Sequence, residues 1–158
     1  MSNYTDIEYE FIDRSLALIA QYESIKHRYK FEEQYDNTLL INCLLGLIVL
    51  PKERTITFIP NDRLTPELKK EIGLSKSYLN ESITNLRQLI IQLRHSIAHF
   101  DIKVVSADDK FLIDEIVFLD KNGTEIVRFI SEDLLPFIRY YSTWLLSNFK
   151  KYREHNRT

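Results

Sequence analysis

Apolar residues recur at helical spacing over four long stretches of this chain. In residues 6–29, Phe11, Ser15, Leu18, Ile19, Tyr22, Ile25 and Tyr29 mark one inward face, as a period of about 3.6 residues requires. A second helix is expected over 32–50, with Leu39, Leu40, Cys43, Leu44, Leu47 and Ile48 facing inward. Its apolar density implies burial on most sides, and Pro51 stops it. The third main helix is expected to begin near Ser75 or Asn80 and to run to His99. Its residues Leu79, Ile83, Leu86, Ile90, Leu93 and Ile97 alternate spacings of four and three, a seam suited to packed helices. Leu89 and Ile91 widen that seam into a second face, fit for a partner subunit. Ser131 can cap a last helix, with Glu132 and Asp133 in its first turn. Pro136 sits early enough there to be tolerated, and Leu134, Leu135, Ile138, Tyr141, Leu145 and Phe149 mark the buried face.

Between the third and last helices the period changes to two. Residues 102–105 are expected to pair as a strand. Residues 111–120 and 124–130 flank Lys121-Asn122-Gly123, and Asn-Gly between two β-rich runs is a strong hairpin signal. Ahead of the third helix, Thr55-Ile56-Thr57-Phe58-Ile59 reads as a short extended piece and Pro60-Asn61-Asp62 as a turn. Thr65-Pro66-Glu67 opens a short helix ending near Gly73, with proline at its first position. The sum is a mainly α fold: one domain, 1–158, built as a four-helix up-and-down bundle with a β-hairpin (101–130) inserted between the third and fourth main helices.

Composition narrows the class. Hydrophobic residues make up 44% and charged residues 28% of 158 residues, the mix of a globular protein. With 3 glycines and 4 prolines, long regular elements are favoured over loops. Cys43 is the sole cysteine, so an internal disulfide is impossible and a reducing, cytoplasmic setting is expected. The opening residues 1–10 are polar and acidic and do not read as a secretory leader. The longest apolar run, 39–50, is broken by Asn42 and Gly46 and is too short for a bilayer, so no membrane association is expected. A formal net charge of -2 argues against coating nucleic acid by bulk charge; any such contact needs a local patch. The basic tail 150–157 reads as a solvated helix end, where cations suit the helix dipole.

Candidate chemistry concentrates in Leu93-Arg94-His95-Ser96-Ile97-Ala98-His99. Arginine presents a fixed charge in a fork that fits phosphate oxygens, and histidine exchanges protons near neutral pH. On an ideal helix His95 and His99 share a face, whereas Arg94 and His99 stand about 140° apart. Either the helix unwinds near His99, or Arg94 and His99 from two subunits meet across a symmetric interface. Blander roles exist: the histidines can cap the helix end. His95 and His99 can also ligate zinc, but Asp101 is the only nearby third ligand, so no metal or cofactor is expected. There is no Gly-rich phosphate loop and no Ser/His/Asp arrangement. His27 falls on a polar face and is expected to be solvated. Cys43 reads as a packed small hydrophobe, and Trp144 and the tyrosines as core and interface. The acidic cluster Asp108, Asp109, Asp114 and Glu115 offers a metal-site reading, but 107–110 reads as a turn.

The motif resembles that of HEPN domains, in which an arginine is followed after four to six residues by a histidine, with a polar residue directly after the arginine. Arg94 to His99 matches, with His95 in the polar slot. The string Arg94 to Phe100, leading into a hairpin and a last helix, is similar to a prokaryotic or mobile-element branch. So is Asn42-Cys43-Leu44-Leu45-Gly46-Leu47-Ile48-Val49-Leu50-Pro51-Lys52-Glu53 with the second helix of that branch. The resemblance implies a metal-independent endoribonuclease, often a toxin or defence effector, whose RNA-cleaving site is shared across a homodimer. In that frame His99 is the general base or acid, Arg94 stabilises charge on the phosphate, and His95 orients the phosphate or His99. Some members of the family are instead non-catalytic dimers that bind nucleotide, RNA or protein. Toxins held by nucleotidyltransferase antitoxins usually carry a tyrosine two residues after the motif histidine. Asp101 stands there, which puts that antitoxin pairing in doubt.

Overall fold

The computed structural model describes residues 3–107 and 112–155, with side chains described as far as 151. Helix α1 spans Ile7–Ile25. Asp6 caps it by accepting the Tyr9 amide at 3.2 Å, satisfying one of the orphan donors of the first turn. Ile12, Ser15 and Ile19 form its buried face, while Leu18, expected inward, is 50% exposed. Helix α2, Asp36–Val49, buries Leu40, Cys43, Leu44, Leu47 and Ile48. Gly46 lets α1 approach: a Cβ there would lie 2.7 Å from the Phe11 ring.

The connector departs from expectation in two places. Thr55 and Ile56, expected as extended, sit in a single helical turn, α3 (Glu53–Ile56). Both side chains are buried, and α3 packs on the third long helix; tertiary burial overrides the β-propensity of the pair. Helix α4, Pro66–Glu71, starts at Thr65, whose hydroxyl accepts the Leu68 amide. Gly73 follows with φ +83°, the left-handed conformation that glycine adopts freely.

The second departure lies at 75–85, expected as the start of the third long helix. Tyr78–Leu79 instead form strand β1, and the helix, α5, spans only Leu86–Ala98. Asn85 caps α5 by accepting the Gln88 amide, and the Gln88 side chain accepts the Thr84 amide. Such local side-chain bonds compete with helix continuation. Leu79 and Ile83 keep helical spacing, but Leu79 pairs with a strand across the sheet.

Strands β2 (Ile102–Val105), β3 (Glu115–Leu119) and β4 (Glu125–Ile130) complete an antiparallel sheet of order β1-β4-β3-β2. The expected hairpin is therefore the centre of a four-stranded sheet, with β1 supplied from ahead of α5. Its turn is a three-residue loop: the Asp120 amide donates to the Thr124 carbonyl and the Gly123 amide to the Asp120 carbonyl, and Gly123 takes φ +79°. The turn expected at 107–110 lies mostly outside the described residues.

Helix α6 spans Ser131–His155 and tolerates Pro136 in its first turns. Helix α2 packs against α1, α5 and α6, and the sheet lies on α5 through β3 and on α6 through β4. An aromatic column, Phe118, Phe129, Phe137, Tyr141 and Trp144, links sheet to helix, with successive ring centroids 5.3–6.4 Å apart. Asp133 accepts the Lys76 and Ser77 amides and the Ser77 hydroxyl, each at 2.8 Å, fixing the approach to β1.

Candidate active site

Helix α5 carries the Arg/His motif on its last two turns and stays α-helical through Ala98. Its end is tightly closed. The Asp101 amide donates to the Ser96 carbonyl at 2.8 Å and the Phe100 amide to the Ile97 carbonyl at 3.1 Å. This double closure is the Schellman pattern, which needs a left-handed residue after the helix cap; that residue is Phe100, φ +57°. The buried Ser96 hydroxyl donates to the Leu119 carbonyl at 2.6 Å, and the Leu119 amide to the Asp101 carbonyl at 2.9 Å. The helix end and the hairpin are thereby locked together.

Between them lies a cleft of about 380 Å³. His95 and His99 line it from α5, Asp101 from the chain just beyond, and Asp120, Lys121 and Asn122 from the β3–β4 turn. Both histidines are exposed. Asp120 accepts the Thr124 and Asn122 amides at 2.8 Å each. These bonds, that of Thr124 foremost, hold its carboxyl below the usual carboxylate range. The cleft thus sets two imidazoles and one ammonium beside the side chains of Asp101 and Asp120. It can hold a phosphate at Lys121 and the histidines, and polar donors at Asp101. A larger open groove of about 650 Å³, lined by Phe58, Arg139, Tyr140, Trp144 and Lys151 among others, contains no motif residue.

Arg94 is not in the cleft with the histidines. Its Nη1 donates to the carbonyls of Ile48, Val49 and Pro51 at 2.9, 3.1 and 2.8 Å, and Nη2 lies 3.5 Å from a Glu53 carboxylate oxygen. The guanidinium closes the C-terminal end of α2, where carbonyls lack helical partners. Helix α2 has no basic residue in its own last turn, and that lack is the sequence signal for an outside cation. Because α5 neither bulges nor unwinds before His99, the wide angle between Arg94 and His99 persists within one chain.

The sequence pattern places Lys121 and Asn122 in a hairpin turn but gives no local sign that they and Asp120 line a cleft with the histidines. Their signal is positional: a hairpin that begins right after the motif must bring its turn back to the helix end. His95, His99 and Asp101 do not make a metal set; among the described residues no cluster of three or more His, Cys, Asp or Glu side chains is placed to hold an ion. His27 is exposed and Cys43 buried, with burial pushing its thiol pKa up.

A family model described as HEPN pEK499 p136 matches residues 1–152. The chain belongs to the HEPN family. No curated protein and no solved structure matches it. The matched range holds both halves of this HEPN chain's motif region, the α2 exit that Arg94 caps and the α5 end that carries the histidines. Among the described residues of the HEPN domain, no helix is long and apolar enough to cross a membrane.

Proposed function

We propose that this HEPN chain is a metal-independent endoribonuclease whose site is completed by a second copy. The observation that carries the proposal is the pair of exposed imidazoles, His95 and His99, side by side in a polar cleft with Lys121. RNA brings its own nucleophile. The 2′-oxygen attacks phosphorus, the P–O5′ bond breaks, and a 2′,3′-cyclic phosphate and a 5′-hydroxyl result. One imidazole takes the 2′ proton and an imidazolium returns one to O5′. His99 has the principal role, and His95 orients the phosphate or its neighbour. Arg94 of one copy, through the N–H groups that α2 does not use, stabilises the phosphorane facing His99 of the other. The four long helices form the HEPN bundle that pairs in the homodimer. Toxin or defence action in the cytoplasm, with a restraining antitoxin protein, belongs to the same proposal.

A second reading, a non-catalytic HEPN dimer that binds nucleotide, RNA or protein, is favoured by one observation: capping α2 explains Arg94 without catalysis. RNA incubated with the chain in EDTA separates the two. The RNase cleaves to cyclic-phosphate ends, leaves DNA intact, and slows by roughly 10²–10⁴ in His99→Ala. RNA left intact by the wild-type chain supports the binding module, and cleavage undiminished in His99→Ala removes that residue from the site.

A further inference from the structure

Phe100 stands where a helix end asks for glycine. The Schellman closure of α5 requires a left-handed residue at this position, and a bulky aromatic side chain is among the least suited to it. Its φ of +57° is the one positive value among the described non-glycine residues. The ring gains nothing from burial in return, since Phe100 is 80% exposed, the most exposed large hydrophobic described. It lies between His99 and Asp101, both of which line the cleft. A strained residue that adds no packing, next to a candidate site, points to use in binding.

We propose that Phe100 is a stacking platform for an unpaired nucleobase adjacent to the phosphate held at His95 and His99. The inference rests on the RNA reading above and specifies its substrate as single-stranded RNA. The surroundings suit a base. A base presents a flat π-face to a ring while its edge and its backbone remain polar. Its chain neighbours His99 and Asp101 line the cleft together with Lys121 and Asn122. Asp101 supplies a carboxylate at the cleft for the N–H edge of a stacked base. A protein partner would instead ask for a contiguous apolar patch. The exposed apolar residues that follow, Val104 and Val105, lie further along β2, beyond Lys103. Paired bases keep their faces inside the duplex, so a double-stranded target has nothing to offer this ring.

The test uses a 2′-O-methyl RNA oligonucleotide, which cannot be cleaved, carrying one 2-aminopurine whose fluorescence falls on stacking. The wild-type chain is expected to quench it. Phe100→Gly is expected to bind roughly 5- to 100-fold more weakly without quenching, while its melting temperature rises by about 2–4 °C as the left-handed strain is relieved. Phe100→Trp should keep both binding and quenching. A duplexed probe should bind more weakly than the single strand. Equal affinity and quenching in wild type and Phe100→Gly would overturn the proposal. So would a shift in the monomer–dimer balance of Phe100→Gly with affinity per dimer unchanged, since the ring would then serve a second copy. If RNA is never cleaved but quenching depends on Phe100, the RNase reading falls and the stacking site stands. If cleavage of sub-saturating RNA persists at the wild-type rate in Phe100→Gly, the reverse holds.

Discussion

Replacing Arg94 by alanine is expected to weaken the fold before it weakens any chemistry. The Nη1 group carries two N–H bonds and faces three carbonyls of the α2 exit within 3.1 Å. Hydrogen bonds from a charged donor contribute about 1.5–3 kcal/mol each. They are shared here, so the three do not add. The Glu53 carboxylate is 86% exposed and adds little, as surface pairs do. A loss of about 2–3 kcal/mol follows, or a melting midpoint lowered by roughly 5–10 °C for a domain of this size. Arg94→Lys keeps a cation near the carbonyls without the fork and should lose about 1 kcal/mol. Arg87→Ala is the internal comparison. Its Nε makes one bond to the Ile59 carbonyl at 2.8 Å, worth about 1.5 kcal/mol. Urea denaturation followed by circular dichroism reads all three as midpoints at constant m. If Arg94→Ala unfolds at the wild-type midpoint, the cap is worthless and Arg94 is held for another purpose. If it unfolds early, its activity is interpretable only well below its own midpoint.

Gly73→Ala should destabilise by about 2–4 kcal/mol, since a Cβ would meet the Pro136–Phe137 backbone at 2.6 Å in addition to the φ penalty. Gly123→Ala, with similar φ but open space around it, should lose only about 1 kcal/mol; thermal melts giving equal losses would refute the close approach. Tyr141→Phe is expected to stabilise by about 1 kcal/mol, because it removes a buried hydroxyl that has no hydrogen-bond partner among the described residues; a destabilised variant in the same melts would mean the hydroxyl is bonded. The Asp120 carboxyl is held below its usual value of 3.8 by the Thr124 and Asn122 amides. Its tie on the hairpin turn is therefore complete above that value and is lost as pH falls through the lower folded one. Amide exchange at Asn122 and Thr124, relative to intrinsic rates, should lose protection only there; loss already at pH 6 would contradict the assignment.

Local pattern carried much of the fold. The spacing from Phe11 to Ile25 placed α1, the apolar density of 39–48 placed α2, and Asn122-Gly123 placed the hairpin, because in each case the signal lies within a few residues. What escaped depends on distant partners. Leu79 and Ile83 keep helical spacing, yet 78–79 follow the register of β4, nearly fifty residues on. Thr55 and Ile56 are β-branched and turn as helix because α5 covers them. The site divides in the same way. That His95 and His99 share a face follows from their i, i+4 spacing. That Arg94 spends its Nη1 on α2 follows from carbonyls 43–46 residues earlier, which no local pattern contains.

In the proposed composite site, Arg94 comes from one copy and His99 from the other. Its most direct test mixes the Arg94→Lys and His99→Ala chains, allows subunits to exchange, and supplies RNA in EDTA. Each variant alone should be nearly silent. With random exchange about half the dimers are mixed, and each holds one intact pair of residues. The mixture is therefore predicted to regain about a quarter of wild-type cleavage. A mixture that stays silent while the wild-type chain cleaves would contradict the claim and return the site to a single chain.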